Sequence, residues 1–259
     1  MPVLSRPAGN VRYEVSGAGS PPLLLTHGFG ATSAMFAANL AAVGSRNQVL
    51  TWDIRGHGGS DYPADPACYR PAAALEDMAA ILAELGHDRA VLGGHSLGGY
   101  LSLEFALAFP DRVAGLVLIN TGPGFRSDDA RADWNRRAEI TAAKLAEQGL
   151  ASLRSSAELQ AAEHRDATGL ILAARGTLTQ RDSHVIDGLP SIQAPALVVV
   201  GSDDTRYLPA ADYMTAKLPR ARKVVIPGAG HAPNMDRPEL FNSELRAFLD
   251  HLADGEQAL

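Results

Sequence analysis

The chain has 259 residues with 46% hydrophobic and 20% charged residues, ordinary proportions for a folded globular chain and unlike those of disordered or fibrous proteins. That length suits one large domain or a domain carrying an insertion. A formal net charge of -6 repels phosphate backbones and anionic membrane surfaces overall, so nucleic acid is not expected as a partner.

The single cysteine, Cys68, has no internal partner, and Met1 to Gly9 lacks the apolar stretch of a signal peptide; both point to a reducing, cytoplasmic location. No window reaches the roughly 18 consecutive apolar residues that a spanning helix needs, so no membrane span is expected.

Val11 to Ser16 alternates in polarity and predicts a strand in an antiparallel edge hairpin. Apolar runs of strand length follow at Leu23 to Thr26, Gln48 to Trp52, Ala90 to Gly93, Val113 to Ile119, Ala196 to Val200 and Lys223 to Ile226. Several are continuous, which suits strands buried on both faces of a parallel sheet. Between them, apolar residues at three- and four-residue spacing predict helices over Ala72 to Leu85, Leu97 to Phe109, Ala210 to Leu218 and Pro238 to Leu252. The alternation predicts an α/β fold with a mostly parallel, doubly wound sheet covered by helices on both faces. From Thr121 to about Pro190 the chain is helical in character, polar and alanine-rich, without a clear strand. The expected organisation is a core of residues 1–120 and 191–259 with a helical cap, 121–190, inserted between them.

The strand Ala90 to Gly94 runs into His95-Ser96-Leu97-Gly98-Gly99 and then a helical stretch. Gly94-x-Ser96-x-Gly98 between strand and helix is a nucleophile elbow: a serine on a tight turn projects its hydroxyl, and glycines two residues away allow close backbone packing. A hydroxyl attacks efficiently only when a base takes its proton, and imidazole suits that exchange near neutral pH. Among eight histidines, His231 stands in a glycine-rich loop after the last strand and before the last helix, the position that brings it over the elbow. A carboxylate is needed to orient the imidazole; after the strand ending at Gly201, Asp203 and Asp204 are both available.

Oxyanion donors are expected from two backbone amides. Leu97 follows the nucleophile at a helix start, and Phe29 lies in His27-Gly28-Phe29-Gly30, where glycines allow close approach to a ligand. Phe29, Leu97, Tyr100 and Trp134 are candidate apolar walls of a substrate pocket. His57, His87, His164, His184 and His251 show no zinc-ligand spacing, so no metal is expected.

His27-Gly-Phe-Gly, Asp53-Ile-Arg-Gly-His-Gly-Gly-Ser60, Gly94-His-Ser-Leu-Gly-Gly, Gly201-Ser-Asp-Asp and Gly230-His231 follow one another as in the α/β-hydrolase superfamily, and the chain resembles its small, capped serine esterases and lactonases over roughly residues 10–120 and 190–252. The resemblance implies that the acid lies three residues after the strand-ending glycine, which selects Asp204 over Asp203. It also implies structural roles for Asp53 and Arg55, a supporting role for His27, and a His95 side chain directed away from the nucleophile.

The implied activity is cofactor-free hydrolysis of a small carboxylic ester by Ser96, Asp204 and His231. Opening of an enol-lactone or of the carbon-carbon bond of a vinylogous diketone uses the same residues, as does perhydrolysis or halogenation. An acidic substrate calls for an arginine facing Ser96, which the sequence does not place. A ligand-binding protein with an idle triad is the alternative from outside enzymology. A serine at position 96 disfavours the dehalogenases and epoxide hydrolases that use an aspartate.

Overall fold

A computed structural model of the protein describes residues 2–153 and 156–255. The first strands are β1 (Val3–Leu4), β2 (Val11–Ser16) and β3 (Leu23–Thr26), followed by α1 (Ala37–Val43) and β4 (Val49–Trp52). Next come α2 (Pro71–Glu84), β5 (Ala90–His95), α3 (Leu97–Ala108) and β6 (Val113–Ile119). Between β6 and β7 (Ala196–Gly201) lie α4 (Asp128–Gln148), α5 (Ala157–Gln160), α6 (Thr168–Arg175) and α7 (His184–Gly188). The chain closes with α8 (Leu208–Lys217), β8 (Ala221–Ile226), α9 (Pro233–Asp236) and α10 (Pro238–Ala253).

The eight strands form one sheet in the order β1-β2-β4-β3-β5-β6-β7-β8. β2 pairs antiparallel with β1 and β4, whereas every neighbour from β4 to β8 is parallel. The predicted antiparallel hairpin is present, with the two-residue β1 as its outer strand. Such a short edge offers few unpaired backbone groups to other chains.

Alternate strand residues point to opposite faces, so the continuous apolar runs feed two cores at once. Leu24, Leu50, Leu92, Leu116 and Val198 face one layer with Met78 of α2 and Phe105 of α3. Leu23, Leu25, Val91, Val117 and Val199 face the other with Phe36, and with Phe241 and Phe248 of α10. β8 is only half-buried, as the outermost parallel strand must be.

The segment between β6 and β7 has a small apolar cluster of its own, Leu145, Leu153 and Leu170, against which Phe29 packs. Backbone meets backbone where α6 crosses the loop after β4: a Cβ added at Gly169 would lie 2.4 Å from Gly56 Cα. Among the described residues no helix is long and apolar enough to cross a membrane.

Candidate active site

Ser96 connects β5 to α3 with φ 49 and ψ -111, a left-handed backbone rarely adopted by a residue other than glycine. Strain of this kind costs about 1–3 kcal/mol and persists only where the surroundings impose it. The surroundings here are backbone. A Cβ at Gly98 would sit 2.0 Å from the Thr26 carbonyl oxygen, and one at Gly94 would sit 2.1 Å from the Gly98 carbonyl carbon. The Ser96 N–H donates to Ile119 O at 2.9 Å, and the Thr121 hydroxyl donates to Ser96 O at 2.6 Å. The serine is thereby held at the carboxyl end of β5, between β3 and β6.

Leu97 opens α3, so its N–H is among the first amides of a helix, which find no acceptor within it. Because Gly98 abuts Thr26 and His27, this amide borders the loop that carries Phe29. That loop is braced by His27, which donates from Nδ1 to Gly28 O at 2.7 Å and accepts at Nε2 from the Ile54 N–H at 3.0 Å. Burial pushes His27 down to about 4, which keeps it neutral and able to hold both bonds.

His231 donates from Nδ1 to Asp204 Oδ2 at 2.6 Å. The same oxygen accepts from Asn120 Nδ2 at 2.9 Å, while Asn120 Oδ1 accepts from the Gly201 N–H at 3.0 Å. Burial alone would raise the Asp204 carboxyl; hydrogen bonds from His231 and Asn120 and the nearby His231 and Arg206 charges outweigh it and hold the group below the usual carboxylate range. Asp203 is exposed and accepts instead from the Ser202 hydroxyl at 2.8 Å. Of the two aspartates that follow Gly201, the structure brings Asp204 to the imidazole.

Two aromatic side chains flank His231. Tyr207 lines the same cavity as Ser96, and its ring lies 4.9 Å from that of His231, centroid to centroid. His95 donates from Nε2 to the His231 carbonyl at 2.8 Å, with the two rings 4.7 Å apart. The resemblance implies a His95 directed away from the nucleophile. Its ring lies beside Gly28, where a Cβ would be 2.6 Å from His95 Nδ1, and its bond to the His231 carbonyl ties the histidine loop to the elbow. Burial and the neighbouring His231 bring His95 down to about 3.

A cavity of about 180 Å³ opens beside Ser96, with Leu97, Tyr100, Trp134, Arg206 and Tyr207 in its wall. Trp134 is fixed by its indole N–H, which donates to Leu178 O at 2.7 Å. Phe29, predicted as a pocket wall, is not part of that lining. Its ring stands edge-on to His57 and packs on the Leu145, Leu153 and Leu170 cluster, so its side chain anchors helices. Sequence reasoning passed over Tyr207, Asn120 and Arg206. The one available signal was proximity to Asp204 for Arg206 and Tyr207; Asn120 directly follows β6 with φ 40 and carries no motif.

Asp53 and Arg55 are engaged by the scaffold. Asp53 accepts from the Ser33 and Gly59 amides and from Arg12 at 2.8–2.9 Å, and Arg55 clasps Asp77 through two bonds of 2.6 and 2.8 Å. Among the described residues no group of three or more His, Cys, Asp or Glu is arranged to hold a metal ion.

Residues 23–244 match the alpha/beta hydrolase family. A pimeloyl-[acyl-carrier protein] methyl ester esterase of Aromatoleum aromaticum is 31% identical, with 85% of this chain and 94% of that protein covered. A 2-(acetamidomethylene)succinate hydrolase of Mesorhizobium japonicum is 29% identical, with 93% of each covered. Among solved structures, a thermophilic esterase from Thermogutta terrifontis superposes with a TM-score of 0.80 at 29% identity, covering 96% of this chain and 97% of that one.

Proposed function

The chain belongs to the alpha/beta hydrolase family and is a hydrolase; from that premise we propose that it cleaves carboxylic ester bonds of small substrates through an acyl-enzyme on Ser96. The observation that carries this reading is the 2.6 Å contact between His231 Nδ1 and Asp204 at the same end of the sheet as the strained Ser96. A carboxylate on Nδ1 keeps the proton there and leaves Nε2 free to act as a base.

In the reaction, the Ser96 hydroxyl gives up its proton to His231 Nε2 and attacks the ester carbon. Negative charge on the carbonyl oxygen is taken up by the Leu97 and Phe29 amides, a contribution usually worth about 10² to 10³ in rate for each donor. His231 then returns the proton to the departing alcohol. Water activated by the same imidazole attacks the acyl-enzyme and releases the acid, so two moderate barriers replace one high barrier. The residues named supply every proton and charge this sequence needs, with no cofactor. Segment 121–190 serves as a cap, contributing Trp134 and neighbouring residues to the cavity. A 150 Å³ apolar cavity admits a benzene-sized molecule, so about 180 Å³ favours a short acyl group or a single ring over a long lipid chain.

The test is a panel of short esters, lactones and vinylogous diketones assayed with wild type and Ser96→Ala. The expected result is highest kcat/KM on the esters, with a loss of about 10³-fold or more in the variant. Turnover confined to the diketones would move the chemistry to carbon-carbon cleavage. No turnover of any class by wild type would favour a binding protein.

A further inference from the structure

The wall of the cavity beside Ser96 is largely apolar, and no Asp or Glu contributes to it among the described residues. One lining residue carries a full charge, Arg206. Two arginines that follow the lining residue Phe125 in sequence are engaged: Arg126 donates to Asp187 at 2.7 Å and to the Tyr213 hydroxyl at 3.2 Å. Arg131 pairs with Asp128 and donates to the Phe125 and Arg126 carbonyls at 2.8 Å each. Arg206 has no hydrogen bond or ion pair within 4 Å to another described residue, although its charge acts at longer range on Asp204. It sits on the turn between Asp204 and α8, next to Tyr207, which lines the same cavity as Ser96.

Building on the esterase reading, we propose that the substrate is an ester carrying a second, free carboxylate, which Arg206 binds while Ser96 attacks the ester carbonyl. The planar guanidinium matches a carboxylate with two parallel hydrogen bonds, and an apolar wall free of competing acids leaves such a ligand one place to put its charge. A cavity of this volume limits the spacer between the two carboxyl groups to a few carbons. Hydrolysis consumes one water and releases an alcohol and a short dicarboxylic acid, the ester oxygen leaving with the proton supplied by His231.

The probes are the para-nitrophenyl monoester of glutaric acid and its neutral isostere, para-nitrophenyl 5-methylhexanoate. Wild type is expected to favour the anionic ester by about tenfold in kcat/KM, as one charge-assisted contact from the exposed Arg206 provides, and added salt should erode that preference. Arg206→Gln should bring the ratio of the two esters to about one, and Arg206→Lys should restore part of it. A wild-type ratio at or below one, or a ratio unchanged in Arg206→Gln, overturns the carboxylate site while turnover of the neutral ester upholds the esterase. A parallel loss on both esters in Arg206→Gln also overturns it and assigns Arg206 to the field around Asp204. Turnover of neither ester by wild type overturns the hydrolytic reading and the carboxylate site with it.

Discussion

At the scale of residues, the site depends on which of two neighbouring carboxylates reaches the imidazole. Asp204 is bound by His231 and Asn120; Asp203 turns to the solvent and to Ser202. Asp204→Asn replaces an acceptor with a group that can donate to Nδ1 and impose the wrong tautomer, so kcat should fall by about 10³-fold or more. Asp203→Asn should stay within a few-fold of wild type. The reverse pattern in steady-state kinetics would place the orienting acid one residue earlier. Spacing from Gly201 makes Asp204 readable from sequence, and Ser96 and His231 are readable from their flanking glycines. Asn120 and Tyr207 are not, because their importance comes from strands and turns that meet only in three dimensions: Asn120 lies 84 residues from the carboxylate that it holds.

At the scale of elements, parallel strands announce themselves because burial on both faces removes the polar alternation of an exposed strand. β3, β4, β5, β6 and β7 therefore lie within a residue or two of their predicted limits. β1 and α1 escape prediction: two residues carry no period, and Ala37–Val43 is too short for the helical repeat to show. The predicted helices α2, α3, α8 and α10 are displaced by at most two residues, a usual fraying at helix ends. The segment between β6 and β7 is legible as helical but not as four separate helices, since its packing relies on pieces from elsewhere, including Phe29 and Gly56. An aromatic between the glycines of the loop after β3 resembles a substrate contact in sequence, yet the cluster of Leu145, Leu153 and Leu170 claims its side chain.

At the scale of the molecule, the buried histidines couple the site to stability. Burial lowers His27 to about 4 and His95 to about 3, and pushes His57 well below its ordinary value. In the unfolded chain these groups titrate near 6.5. Between pH 6.5 and about 4 the unfolded state therefore takes up protons that the folded state refuses, and each such group removes up to about 1.4 kcal/mol of stability per pH unit. Asp204 acts lower on the scale: its contribution persists until pH falls below the ordinary carboxylate value of about 3.9 and toward its depressed folded value. The melting temperature should accordingly be lower at pH 5 than at pH 7 by several degrees. A flat profile over that range in differential scanning calorimetry would show that the three rings are protonated or solvated in the native state.

The proposed chemistry depends on the hydroxyl at the end of β5. Intact-protein and peptide mass spectrometry after treatment with a fluorophosphonate tests it most directly. The account predicts one adduct per chain, located on Ser96 and lost in Ser96→Ala. An adduct on another residue, or wild-type protein that stays unlabelled while hydrolysing esters, would contradict it.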